Sequence, residues 1–342
     1  MKTEFNFPKI DLHCHLDGAI DPKTMMELAR ERKIKLPAET LEEFIPFVTF
    51  GPGCGSVNEY LKKFDLSIEI LQDAKALERV MYELVKRLDS EGLAYAEIRF
   101  APQLATAKGM TQFEAAEAVI AGKERALSEC KNIKIGIIVC AMCLGTADIT
   151  RKQNFETLEV AKQLKGKGID AFDLAGCEGI CPLSDFAELF DKAREYGLNY
   201  TCHAGDSPIA AEVGTAINLF GSKRIGHGHH IFDDKELCRQ AIEKDVTFEV
   251  CITSNIQCET QPSYEEHPIK KMYDMGMKVT LNTDNMVIAG VTLDSEYKIA
   301  MERCGFTMDD IIKMNINSAK ASFLDEKSKA ELIQKLESCL NH

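Results

Sequence analysis

Residues 112–140 read QFEAAEAVIAGKERALSECKNIKIGIIVC, and the change of period inside this stretch decides the fold. Over 112–130 the apolar residues fall largely at i, i+3, i+4 and i+7, the spacing that turns one stripe of an α-helix toward a core. From Ile133 the run IKIGIIVC is almost continuously apolar and rich in β-branched side chains, which suits a strand covered on both faces. A helix that feeds such a strand is part of a β-α-β unit.

The same alternation extends in both directions. Strand-like runs occupy 9–15, 93–100, 133–142, 169–175, 198–203, 224–228, 246–251 and 278–284. Helical periods occupy 74–89, 112–130, 155–166, 182–196, 210–220 and 235–244. Repeated strand–helix order means parallel strands with helical crossovers. Eight such units close most naturally into a (β/α)8 TIM barrel; an open doubly wound sheet meets the same pattern. No repeat, low-complexity linker or composition shift divides the chain, so residues 1–342 read as a single domain. Residues 16–92 separate the first two strands, far more than one helix needs. Within them, FIPFVTFGPGCGSV at 44–57 suits a lid or pocket wall, or else a surface loop with a small core of its own. The charged, helical stretch 308–340 reads as the last barrel helix followed by an appended one.

Of the 342 residues 45% are hydrophobic and 28% charged, and the net charge is −13. That field repels polyanions, so neither nucleic acid nor an anionic membrane is an expected partner. Among 13 cysteines, Cys14, Cys140, Cys202 and Cys251 sit inside strand-like runs, where buried free thiols imply a reducing compartment. The start, MKTEFNFPKIDLHCH, lacks the apolar stretch of a signal peptide, and no membrane-length apolar run follows; the expectation is a cytoplasmic protein.

The chain has only eight histidines, and His13, His15, His203, His227 and His229 lie at or just past the ends of strand candidates. In a (β/α)8 barrel those ends form the active-site face. His13 and His15 are two apart on one strand, so both imidazoles point into the mouth while Cys14 points away. With His203 in YTCHAGD and Asp284 in VTLNTDN they make a three-histidine, one-carboxylate set that suits zinc. Each alone has a plain structural role open to it: a core hydrogen bond for His203, a helix N-cap for Asp284. His227, in RIGHGHH, stands where it can accept a proton from a metal-activated water or hold the nucleophile in place. His229 and His230 read as loop residues without a role; His267, before Pro268, and His342 read as surface.

Along nearly its full length the chain resembles the adenosine deaminase family. The matching pieces are IDLHCHLDGA, EIRFAP, DLAGCE, HAGD, RIGHG, TSN and LNTDN, in order and at the family's spacing. The resemblance implies one Zn2+ per chain, held by His13, His15, His203 and Asp284, and a small-molecule purine nucleoside as substrate. It implies that His227 orients and deprotonates the attacking water and that Asp206 protonates purine N1. Gly176 would offer its N–H to N3 and Asn285 would contact N7. Asp17, beside His15, would contact the ribose 5′ hydroxyl, and Leu61 and Phe64 would form an apolar flap, a place that ordinary helix core would also explain.

The chain departs from the family pattern at three places, the first two bearing on function and the third on structure. Asp206 stands where the pattern has glutamate, one methylene longer and about 1.5 Å more in reach. Cys143 stands where an arginine is usual, and Ile252 where a proline is. Asn285 replaces an aspartate of some members. Three functions follow: deamination of adenosine and 2′-deoxyadenosine, deamination of another adenine-bearing or modified purine, or nucleoside binding with weak turnover.

Overall fold

The computed structural model describes residues 5–50 and 62–340. The strands are β1 (Lys9–His15), β2 (Leu93–Phe100), β3 (Lys134–Cys143), β4 (Ala171–Gly176), β5 (Asn199–Tyr200), β6 (Cys202–Ala204), β7 (Arg224–His227), β8 (Thr247–Val250) and β9 (Lys278–Leu281). They form two parallel sheets, ordered β1-β2-β3-β4-β5 and β6-β7-β8-β9. The fifth expected strand is therefore split at Thr201, whose N–H still bonds the Phe172 carbonyl of β4 at 3.0 Å. The stave is continuous in space, and the break marks where its pairing passes from one sheet to the other.

The other edges also meet. Cys14 pairs with Asp284, His15 N–H donates to the Asp284 carbonyl at 2.8 Å, and Asp284 N–H to the His13 carbonyl at 2.7 Å. These bonds join β1 to the chain just past β9, so the sheet is a distorted (β/α)8-type barrel and not an open sheet.

Helices follow from local signals. Ala74–Ser90 starts at Asp73, whose carboxylate accepts the Ala76 N–H, and buries Leu77, Val80, Met81, Leu84, Val85 and Leu88 along one face. Gln112–Leu127 starts with a capping box, Thr111 with Glu114. Ala147–Leu164 begins eight residues before its apolar period does. Its first turns bury Thr150 and Asn154, and the Asn154 amide holds the N–H (2.8 Å) and carbonyl (2.9 Å) of Met142 near the end of β3. A buried face made of polar residues leaves no hydrophobic period. Segment 182–196 resolves into a 3-10 turn, Leu183–Phe186, and the helix Ala187–Glu195.

Among the described residues, Pro22–Glu31, Leu41–Val48 and Phe64–Ile70 are helices between β1 and Ala74–Ser90. The first part of the expected lid, 44–57, belongs to Leu41–Val48, and 51–57 lie outside the described residues. Met308–Ala321 and Glu326–Glu337 are the expected last helix and appended helix. Among the described residues no helix is long and apolar enough to cross a membrane. Cys14, Cys140, Cys202 and Cys251 are buried and free.

Candidate metal and active centre

The expected histidines converge. His13 and His15 end β1, His203 lies on β6, His227 ends β7, and Asp284 follows β9. His15 Nε2 lies 3.4 Å from His203 Nε2 and 3.4 Å from Asp284 Oδ1; His13 Nε2 lies 3.5 Å from the same oxygen. Two overlapping groups have ligand atoms within 4.8 Å of one another: His13, His15 and Asp284; and His13, His203 and His227.

The layer behind these rings fixes their protons. Glu249 on β8 faces His13 Nδ1 at 2.9 Å, and Asp173 on β4 faces His203 Nδ1 at 3.1 Å. Carboxylates accept, so both Nδ1 atoms carry hydrogen and both Nε2 atoms present lone pairs to the cavity. Arg99 on β2 holds the two acids in place: it donates to Asp173 Oδ2 at 2.8 Å, Glu249 Oε2 at 2.6 Å and the Leu12 carbonyl at 2.7 Å. Ser254 donates to Asp284 Oδ2 at 2.6 Å, which leaves Oδ1 facing the rings.

His13 Nε2 is thus a buried acceptor without a hydrogen-bond partner, pointed at a carboxylate oxygen. Acceptors that face one another in a dry cavity repel unless a cation lies between them. Nitrogen and oxygen donors in this number fit a divalent transition metal of the zinc type.

The sequence singled out the rings and left Arg99, Asp173 and Glu249 unassigned. The available signal was a charged letter within an apolar strand, as in EIRF, FDLAG and TFEV. Such a residue needs a buried partner.

Backbone strain sits at the same place. His227 and Asp284 have φ of 62° and 57°, the left-handed region that costs a side chain-bearing residue about 1–3 kcal/mol. Gly226 lies between two rings: a Cβ there would stand 3.0 Å from His13 Cε1 and 3.3 Å from His203 Cγ.

Above the rings opens a cavity of about 350 Å³. His15, Asp17, Phe64, Gly176, His203, Asp206, His227, Asp284 and Asn285 line it, so most residues expected to touch substrate surround one space. Leu61 lies outside the described residues. Leu104, Met142 and Ile68 give apolar walls, and among the described residues no lysine or arginine lines the cavity. Burial pushes Asp17 up to about 6. Cys143 is buried behind the wall, its Sγ 3.9 Å from Cys181 Sγ.

Asp206 is tied down on two sides. Its Oδ1 accepts from Asn255 Nδ2 at 2.9 Å and from the Thr260 hydroxyl at 3.1 Å. Its backbone is clamped by Glu178, whose carboxylate accepts the N–H groups of Gly205 (2.6 Å), Asp206 (2.8 Å) and Ser207 (2.9 Å). Burial pushes Glu178 up to about 7 against these donors. His267, expected at the surface, is 3% exposed. It turns inward because Asn255 Oδ1, at 3.2 Å, and the Ile269 N–H, at 3.2 Å, both meet its ring. His229, expected in a loop, is buried in the 3-10 turn His229–Asp233. His342 lies outside the described residues.

Comparison with known proteins places the chain among relatives of the same fold. A family model described as adenosine deaminase matches residues 8–339. An adenosine deaminase of Haemophilus ducreyi is 37% identical over 327 residues, covering 95% of this chain and 94% of its own. The crystal structure of an adenine deaminase from Arthrobacter aurescens superposes with a TM-score of 0.86 at 23% identity, over 97% of this chain and 98% of that one. An N6-methyl-AMP deaminase from Arabidopsis thaliana gives a TM-score of 0.83 at 26% identity, over 97% of each chain.

Proposed function

This chain belongs to the adenosine deaminase family of metal-dependent hydrolases, and we propose that it converts adenosine and 2′-deoxyadenosine to inosine and 2′-deoxyinosine, with release of ammonia. The observation that carries the proposal is the set of acceptor atoms on His13, His15, His203 and Asp284 that face one another at the floor of an apolar cavity. These four would hold one Zn2+ per chain. A metal bound there supplies the Lewis acidity that makes water a nucleophile at neutral pH.

The remaining steps belong to the protein. Water adds to purine C6 and pushes electron density onto N1, where Asp206 delivers a proton. His227 holds the attacking water over C6. The C6 amino group takes up one proton of the attacking water and leaves as ammonia, the other water proton returns Asp206 to its acid form, and a carbonyl remains at C6. Gly176 offers its N–H to N3, Asn285 faces N7, His15 and Asp17 take the ribose 5′ hydroxyl, and Phe64 covers the purine. Few polar groups on an apolar wall suffice to orient a flat ring.

The lining favours a nucleoside over a nucleotide. A phosphate would meet Asp17, Glu178 and Asp206 with no lysine or arginine among the described lining residues to balance it. The structural neighbours act on adenine and on N6-methyl-AMP by their names, so the choice of substrate needs a direct test. Zinc-loaded protein is mixed with adenosine, 2′-deoxyadenosine, adenine and AMP, and the loss of adenine absorbance is followed. Turnover of the two nucleosides is the expected result. Turnover confined to adenine or AMP would replace the substrate assignment, and binding without turnover would end the catalytic one.

A further inference from the structure

Asn255 joins the two acid–base groups of the site. Its Nδ2 lies 2.9 Å from Asp206 Oδ1 and 3.1 Å from His227 Nδ1, and its Oδ1 lies 3.2 Å from His267 Nε2. Asn255 is fully buried, and His267 and His227 are 3% and 4% exposed, so water does not compete for these bonds.

The direction of every bond in this chain can be read from its ends. At one end the Ile269 N–H donates to His267 Nδ1 at 3.2 Å. A backbone N–H has no other role, so His267 Nδ1 carries a lone pair. Burial pushes His267 down to about 3, so its ring is neutral and its one proton sits on Nε2. That proton is donated to an acceptor, which makes the atom of Asn255 facing it the carbonyl oxygen. At the other end Asp206 Oδ1 faces the opposite atom of the amide, with the Thr260 hydroxyl 3.1 Å away and 3.0 Å from the Asn255 main-chain carbonyl. A carboxyl oxygen that accepts calls for NH2 there. The two ends are independent, and they demand the same orientation of the amide.

The remaining N–H of Asn255 then points at His227 Nδ1. An N–H facing a second N–H would repel, so His227 Nδ1 is the acceptor and its proton sits on Nε2. We propose that Asn255, oriented by His267, is the positioning residue that keeps the His227 proton on Nε2 and fills Asp206 Oδ1, leaving Asp206 Oδ2 to carry the proton for N1.

Two consequences follow for the proposed deamination, on which the kinetic part of this inference rests. With its Nδ1 lone pair spent on Asn255 and a hydrogen on Nε2, the neutral His227 ring has no lone pair for a metal. This separates His227 from the ligand set, although its ring centroid lies 5.0 Å from that of His13. His227 also meets the attacking oxygen first as a hydrogen-bond donor, which holds and orients it. Loss of the water's proton to His227 would require the ring to give up its bond to Asn255.

The test reads the proton directly. Protein labelled with 15N-histidine and loaded with zinc is studied by NMR, with the His227 signals assigned by their loss in His227→Gln. The expected spectrum shows hydrogen on Nε2 and none on Nδ1; hydrogen on Nδ1 would overturn the proposal. Asn255→Asp places a carboxylate against Nδ1 and is expected to draw the proton there. In that variant kcat falls by about 10²- to 10⁴-fold while KM stays within about threefold. An Asn255→Asp protein that keeps the wild-type tautomer, or the wild-type kcat, would also overturn it. The wild-type spectrum needs no variant to be active and no substrate to be turned over, so an error in the substrate assignment leaves this result readable.

Discussion

The floor of the pocket and its wall are built differently. On the floor, His13, His203 and Asp284 stand on strands or directly after them, and each has a partner behind it: Glu249, Asp173 and Ser254. Those two acids and Arg99 have side chains with no exposure at all. On the wall, Asp206 stands in a loop, its side chain 28% exposed, and Phe64 opens a short helix in the long insertion after β1. In barrels of this type the strands carry the shared chemistry and the loops above them vary with substrate, which is the division proposed here. Of the departures from the family pattern, Asp206 and Cys143 are on or behind the wall, whereas His13, His15, His203 and Asp284 on the floor keep it.

The contrast can be broken most sharply at the floor. His13→Ala removes one proposed metal ligand and leaves Glu249 without its ring, and is expected to lose both zinc binding and more than about 10³-fold of turnover. Metal analysis beside the activity assay checks this, and retained zinc would mean that the floor is less integrated than described. Next, Arg99→Met strands two buried acids and is expected to cost about 3–5 kcal/mol of stability, read from urea unfolding. A cost near zero would show that the acids find other partners.

The wall should respond more mildly. Asp206→Glu restores the longer reach and is expected to raise kcat by about tenfold, within the roughly hundredfold that a 1 Å misplacement can cost. A fall would mean that Asn255, Thr260 and Glu178 have adapted the site to aspartate. The smallest effect is a pH slope. Glu178 is pushed up to about 7 from its ordinary 4.5 by burial. Between those values the folded chain keeps a proton that the unfolded chain releases, so this group makes stability fall as pH rises through the window. Glu178→Gln should flatten that slope in urea titrations. A slope that survives the substitution assigns the titration to another group.

Much of the floor was legible in the sequence because histidine is scarce here and clusters at strand ends, and because β1, β2 and the helical periods follow simple spacings. The supporting layer was not. A lone Arg99 or Glu249 within an apolar run announces a buried charge, but its partner is 150 residues away and only the closed barrel brings the two together. Asn154 and Thr150 hid the start of Ala147–Leu164 because their buried face is polar. His267 read as surface because the residue that turns it inward, Asn255 in the short helix Ile252–Gln257, is twelve residues away.

The left-handed backbone at His227 and Asp284 also bears on how this protein would drift under artificial selection. Glycine at either position would relax the main chain at once. With the roles proposed for His227 and Asp284, a screen for heat resistance that ignores turnover would favour changes at sites that catalysis needs. Any effort to harden the protein has to select for catalysis in every round, because here durability and chemistry pull on the same two peptide units.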